Sequence, residues 1–78
     1  MKLRITDQAK SRMKKYGISG STIRKGIKNP DSVVKGHSGR KIAQKKLNKH
    51  VLRIIFEKEK DKSVIVTVYK ARSERYEI

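Results

Sequence analysis

Arginine, tyrosine and histidine side chains supply the chemistry that this sequence could carry out. Cleavage of RNA needs no metal, because the 2′-hydroxyl attacks the adjacent phosphate and the protein need only orient it, stabilise charge and move two protons. Arginine binds phosphate oxygens in pairs, tyrosine or histidine can transfer protons, and an aromatic ring can stack on a base. The same residue types occur in RNA-binding domains that cleave nothing. The candidate side chains are Arg40, Arg53, Tyr69 and Arg72, with His37 or His50 nearby.

Other reaction classes lack the residues that they need. The chain has no cysteine, which excludes a thiol nucleophile and Cys-type zinc sites and fits a reducing cytosol. Its two histidines, without paired carboxylates, are too few to define a metal site. Glu57, Glu59 and Asp61 alternate with lysines, so we expect solvated ion pairs rather than catalytic acids. The sequence therefore predicts neither a metal nor a cofactor.

The excess of positive charge indicates an anionic partner. The chain holds 22 Lys and Arg against 7 Asp and Glu, a net charge of +15. Residues 1–49 alone contain 15 basic and two acidic side chains. A small domain with so much like charge repels itself, and nucleic acid is the partner that most often compensates it. An acidic protein partner, or a lysine-rich surface that serves solubility alone, is the alternative.

Length and hydropathy predict one small domain over residues 1–78. The apolar residues are periodic, which favours a folded chain over a disordered one. No apolar run approaches about 18 residues, and the N-terminus lacks the apolar segment of a signal peptide. We therefore expect a cytoplasmic protein without a membrane anchor. The sequence does not indicate an oligomeric state.

Two amphipathic helices are predicted before residue 30. Over residues 7–16 the apolar positions recur at i, i+4 and i+7, which places them on one helical face. Thr6 or Asp7 can cap this helix, and Gly17 can end it in the left-handed conformation. The second helix is about two turns long and ends at Asn29-Pro30, because the residue before a proline avoids the helical region.

Five strands complete the predicted α+β fold, in the order β-α-α-β-β-β-β, with both helices on one face of a mostly antiparallel sheet. The last two strands are β-branched and lack Gly and Pro, as is typical of central strands. We predict strands at residues 3–5, 32–34, 40–47, 51–56 and 64–69. The expected core consists of Leu52, Ile54, Phe56, Val64, Val66, Val68, Met13, Tyr16, Ile23 and Ile27.

The turn at Asn48-Lys49 determines which polar residues share the sheet face away from the helices. That face carries Arg53, with Ile55, Thr67 and Tyr69. A two-residue turn pairs Gln44 with Arg53 and adds Arg40 and Lys46 to the face. A three-residue turn would instead place Lys41 and Lys45 there. The sequence leaves both registers open.

The order of these motifs resembles a widespread prokaryotic family of small domains. The motifs are a basic first helix (SRMKKYGI, 11–18), a short second helix that closes with NPD (29–31), and a basic strand (GRKIAQKKL, 39–47). The runs LRIIFE (52–57) and VIVTVY (64–69) follow, and the ending KARSERYE (70–77) is similar to that of BrnT-like chains. In its layout of two helices on an antiparallel sheet, this family is similar to the RelE and BrnT toxins, the mRNA interferase superfamily.

The resemblance implies a RelE/BrnT-like protein of a toxin–antitoxin system that cleaves RNA, either free or on the ribosome, and that an acidic antitoxin-like protein neutralises. A non-catalytic nucleic-acid-binding module and a basic domain for an acidic protein are the alternatives. The expected catalytic residues are Arg53, Tyr69, Arg40 and His37. The expected nucleic-acid-binding residues are Lys41, Lys45, Lys46, His50, Lys70 and Arg72.

Overall fold

The computed structural model of the chain describes residues 2–75 as two helices on one face of a five-stranded sheet. One 3-10 turn, His37–Gly39, joins the second and third strands, and another, Ser73–Arg75, follows the last strand. No helix in the described part of the chain is long and apolar enough to cross a membrane. The helices are α1 (Asp7–Tyr16) and α2 (Gly20–Lys28), and the strands are β1 (Lys2–Ile5), β2 (Ser32–Lys35), β3 (Lys41–Leu47), β4 (His50–Glu59) and β5 (Lys62–Arg72).

The predicted α+β class and the mostly antiparallel sheet are confirmed. In space the strands lie in the order β1-β5-β4-β3-β2, which differs from their order in the predicted β-α-α-β-β-β-β arrangement. The difference arises because β1 crosses to the far side and pairs with β5 in parallel, whereas β2 to β5 form successive antiparallel pairs. The two most apolar strands, β4 and β5, therefore lie inside the sheet, as their composition predicts.

Capping residues fix both helices at the positions that the sequence indicates. The Thr6 hydroxyl accepts a hydrogen bond from the Ala9 backbone N–H at 3.2 Å and begins α1. Gly17 ends α1 with φ 65°, the left-handed conformation that glycine adopts most easily. Ser19 caps α2 in the same way as Thr6, with a bond of 3.2 Å from the Thr22 N–H. These bonds satisfy backbone donors that would otherwise have no partner.

The core lies between the helices and one face of the sheet. Leu52, Ile54 and Phe56 are buried on that face of β4, as predicted, and Ile23 of α2 packs on them. Gly26 lets α2 approach the sheet closely, since a Cβ added to it would lie 2.6 Å from Cδ1 of Ile54. The predicted contributions of Met13, Tyr16 and Ile27 are confirmed as partly buried contacts at the edge of the core.

A bulge in β5 makes one part of the predicted core wrong. Ile55 pairs with Thr67 but Phe56 pairs with Ile65, so Val66 is an extra residue in β5. The bulge reverses the alternation of faces, and Ile65 joins the core in place of Val64 and Val66. Val64 is buried on the opposite face, beside Glu57, and Val66 is half-buried at the bulge.

Thr6 holds this bulge against α1. Its hydroxyl lies 2.8 Å from the carbonyl oxygen of Ile65 and 2.9 Å from that of Val66, and its backbone N–H donates to Ile65 at 3.2 Å. The residue that caps α1 therefore also contacts two carbonyl oxygens at the bulge, where the alternation of faces in β5 reverses.

Candidate nucleic-acid interface

The tight turn at Asn48-Lys49 settles the register of the polar sheet face. Asn48 has φ 53°, a left-handed conformation that asparagine tolerates, and Leu47 pairs directly with His50. Gln44 is therefore opposite Arg53, as the two-residue turn predicts. We call the face of the sheet away from the helices the polar sheet face.

Arg53 and Tyr69 form a bonded pair in the middle of the polar sheet face. They are direct cross-strand partners on β4 and β5. The Nη1 of Arg53 donates a hydrogen bond of 2.6 Å to the Tyr69 hydroxyl, and its Cζ lies 5.6 Å from the centroid of the Tyr69 ring. Both side chains are half-buried. The pair thus combines a positive charge, a phenol and an aromatic ring in one place.

Buried side chains next to Arg53 and Tyr69 support this pair. Gln44, opposite Arg53 on β3, is 2% exposed, and its Nε2 donates to the Ser32 hydroxyl at 2.8 Å. Val51, two residues from Arg53 along β4, is also buried on this face. A bonded pair that rests on buried neighbours is held in a fixed position, which a binding site requires.

Arg40 lies at one end of the polar sheet face and is already compensated. Its Nε donates to Oε1 of Glu57 at 2.7 Å, and this ion pair is partly exposed. Glu57 is four residues from Arg53 along β4, a separation of about 13 Å. His37 lies beyond Arg40 in the 3-10 turn, where its carbonyl oxygen accepts from the Arg40 N–H at 3.2 Å. The predicted catalytic set is thus divided, with only Arg53 and Tyr69 bonded together.

The predicted nucleic-acid-binding residues are divided between the two sides of the sheet. Lys46 pairs with Val51 and lies on the polar sheet face. Lys45 lies on the helix side, where its Nζ donates to the Asn29 carbonyl oxygen at 3.0 Å and is 3.8 Å from Asp31. The register places the remaining predicted residues on the helix side as well: Lys41, His50, Lys70 and Arg72.

A surface pocket of about 440 Å³ lies at the end of the sheet beside these helix-side residues. In it the Nη1 of Arg72 is 3.7 Å from a carboxylate oxygen of Glu74, an exposed ion pair. The pocket is separate from the Arg53–Tyr69 pair because its β4 and β5 residues face the other side of the sheet. Its lining residues are Lys49, His50, Arg72, Ser73 and Glu74.

Two features of the site were not predicted from the sequence. The first is the Arg40–Glu57 pair. The two-residue turn pairs Lys41 with Phe56, and the same register continued by one residue places Arg40 opposite Glu57. The second is a group of cations on α2, namely Arg24, Lys25 and Lys28, whose spacing of three and four residues marks one helical face. Both signals were present in the sequence.

The arrangement can hold a phosphate and donate a proton. A guanidinium attracts phosphate oxygens, and a phenol one hydrogen bond away can serve as an acid or stack on a base. Among residues 2–75 no three His, Cys, Asp or Glu side chains are grouped so that they could hold a metal ion.

Comparison with known proteins identifies one family. No curated protein and no solved structure matches the chain. One family model matches residues 5–70, a span that runs from the end of β1 almost to the end of β5 and includes both Arg53 and Tyr69. Because this match covers most of the chain, the protein belongs to the family described as a domain of unknown function, DUF4258.

Proposed function

We propose that the protein is a RelE/BrnT-like member of a toxin–antitoxin system that binds RNA on its polar sheet face and cleaves it without a metal. The Arg53–Tyr69 pair is the observation that carries this proposal, since it joins a positive charge to a phenol in a strongly basic chain. RNA supplies both an anionic backbone and bases that an aromatic ring can stack on.

The proposed reaction uses each member of the pair differently. Arg53 holds a phosphate and stabilises the negative charge that develops on it. The 2′-hydroxyl forms a bond to phosphorus and loses its proton to water, and the bond from phosphorus to the 5′-oxygen breaks. Tyr69 gives its proton to that leaving oxygen and regains one from solvent. The products are a 2′,3′-cyclic phosphate and a free 5′-hydroxyl.

Variants of the two residues separate binding from cleavage. Tyr69→Phe keeps the ring and removes the acid, so we expect near-normal RNA affinity with cleavage reduced by about 100-fold or more. Arg53→Ala should weaken single-stranded RNA binding by about 10-fold or more, because a charge-assisted hydrogen bond is lost. Filter binding and analysis of product ends measure both quantities, and circular dichroism checks that each variant is folded.

Two results would contradict the proposal in different ways. RNA binding without any cyclic-phosphate product would favour a non-catalytic RNA-binding module on the same face. Unchanged RNA binding and cleavage in folded Arg53→Ala protein would remove the pair from the site.

The edge strand β2 favours a protein partner as a second candidate function. Within residues 2–75, Val33 and Val34 are the large hydrophobic side chains that remain exposed, at 48% and 39%. Both lie on β2, whose outer edge has no neighbouring strand in the sheet. An acidic antitoxin-like strand could pair with this edge, attracted by the charge of +15. With the acidic product of a neighbouring gene as partner, Val33→Ser should weaken the complex without changing RNA binding, because Val33 lies on the side of β2 away from the polar sheet face and the net charge is unchanged.

A further inference from the structure

The outer face of α2 carries a basic stripe that the polar sheet face does not include. Ser21, Arg24, Lys25 and Lys28 are exposed and follow the i, i+3, i+4, i+7 spacing of one helical face. Ile23 and Gly26, on the other face of the helix, are buried against the sheet. We call these four exposed residues the α2 stripe. The sheet separates it from the Arg53–Tyr69 pair, which lies on the far side.

No acidic side chain among residues 2–75 compensates the charges of Lys25 and Lys28. The sequence of α2, GSTIRKGIK, contains no acidic residue, and within residues 2–75 neither lysine forms an ion pair. The next acid along the chain, Asp31, is occupied: its Oδ1 is 3.8 Å from Lys45 Nζ, and its Oδ2 accepts from the Lys46 N–H at 2.7 Å. Asp31 thus binds β3 and leaves the α2 lysines exposed to solvent.

An open depression of about 690 Å³ runs along this stripe. Its lining combines the four residues of the α2 stripe with Ile27, which is half-buried, and Asn29. Lys45 bonds the Asn29 carbonyl oxygen at 3.0 Å and so fixes the end of the helix to the sheet. The cations are therefore presented on a fixed surface.

The composition of this surface fits a nucleic-acid backbone better than a protein. The centre of a protein interface is apolar, whereas interfaces with nucleic acid are polar and strongly positive. The α2 stripe has no apolar member. Helix α2 also lacks an aromatic side chain on which unpaired bases could stack. A surface that offers three cations and a hydroxyl around the half-buried Ile27 matches the phosphates of a duplex, whose bases are already stacked.

We propose that the α2 stripe binds the phosphate backbone of double-stranded RNA. It is a second contact, separate from the polar sheet face and independent of any cleavage there. An RNA that contacts both the α2 stripe and the polar sheet face contains a duplex and an unpaired segment. The protein is thus suited to folded RNA rather than to extended single strands.

A matched pair of double variants tests this proposal. Lys25→Gln/Lys28→Gln removes two charges from the α2 stripe, and Lys58→Gln/Lys60→Gln removes two exposed lysines from the β4–β5 hairpin. Binding of a short blunt RNA duplex, and of one of its strands alone, is measured over a range of salt concentrations. We expect the α2 variant to lose about 10-fold or more in duplex affinity and to reduce the steepness of log K against log salt by about 1.8. Its single-strand affinity and the duplex affinity of the hairpin variant should change much less.

The outcomes separate the α2 stripe from the polar sheet face. Unchanged duplex affinity in the α2 variant overturns the proposal, as does an equal loss in both double variants, which would show an effect of net charge alone. Competition by poly-glutamate as strong as that by a duplex of equal charge would also overturn it, in favour of an acidic protein. Failure of the function proposed above would be detected in a different experiment, the binding of single-stranded RNA by Arg53→Ala protein. If the double variant melts below the assay temperature, Lys28→Gln alone is tested for about half the change in slope.

Discussion

An ion pair limits how Arg40 of the polar sheet face can bind a phosphate. Arg40 has its charge neutralised by Glu57, at 2.7 Å. Arg53 instead donates a hydrogen bond to the hydroxyl of Tyr69. A phosphate that approaches Arg40 must therefore compete with the carboxylate of Glu57. The ion pair weakens one end of the face as a binding surface.

Glu57→Gln should therefore raise the affinity for RNA. It removes the carboxylate that competes with phosphate for Arg40, so one additional phosphate contact becomes available and the salt slope steepens by about 0.7 to 0.9. The pair is partly exposed, so its loss should lower the free energy of unfolding by only about 0–1 kcal/mol. Filter binding at several salt concentrations, with thermal melts alongside, measures both effects.

Glu59→Gln is the matched control, because it changes the net charge equally at an exposed position of the same strand. It should raise RNA affinity less and leave the slope unchanged. Equal gains in both variants would mean that net charge, and not the release of Arg40, sets the affinity.

At the scale of elements, the close approach of α2 to β4 fixes where the second helix lies. Glycine is unfavourable inside a helix by about 1 kcal/mol relative to alanine, so Gly26 lowers the intrinsic stability of α2. Packing explains its presence, since a Cβ there would lie 2.6 Å from Cδ1 of Ile54. Ile54 is fully buried, so a shift of its side chain must be accommodated within the core. Gly26 thus lowers the helix propensity of α2 but permits the close contact between α2 and β4.

Gly26→Ala should therefore destabilise the protein although alanine favours the helix. Overpacking a tight core costs about 1–3 kcal/mol, which exceeds the gain in propensity. Gly20→Ala in the first turn of the same helix is the control, because a Cβ there meets nothing within 4 Å. Urea titration should show a lower midpoint for Gly26→Ala and an unchanged or higher one for Gly20→Ala. A stabilised Gly26→Ala protein would show that Ile54 can move aside.

Local signals predicted the helices and the central hairpin, whereas contacts between distant residues produced the errors. Caps at Thr6 and Gly17 are short-range, so the sequence contains all the information that sets the bounds of α1. The bulge at Val66 is contacted by Thr6, about 60 positions away, and alternation within β5 alone cannot reveal it. The proximity of Arg53 and Tyr69 followed from the correct faces of β4 and of the part of β5 after the bulge, whereas the Arg40–Glu57 ion pair required the hairpin register.

At the scale of the whole molecule, the fold distributes the positive charge over both sides of the sheet. The α2 stripe and Lys41 lie on the helix side, and Lys46 and Arg53 lie on the polar sheet face. The fold is small, with a radius of gyration of 11.5 Å, and the chain carries a net charge of +15. Four ion pairs are formed among residues 2–75, all with partly or fully exposed side chains. Such pairs contribute little to stability, so repulsion dominates the electrostatics of folding.

Added salt should therefore stabilise the free protein. Counterions screen the repulsion between the positive charges, and this screening matters most in the folded state. The Debye length falls from about 30 Å at 0.01 M salt to about 8 Å at 0.15 M. The melting temperature should rise over this range of NaCl, by about 4–8 °C for each kcal/mol gained in a domain of this size. Because Lys25→Gln/Lys28→Gln removes two repelling charges, it should melt higher than the unaltered protein at low salt and depend less on salt. A melting temperature that falls as NaCl increases would show that attractive ion pairs outweigh the repulsion. The charge would then stabilise the fold itself, and its excess would not require an anionic partner.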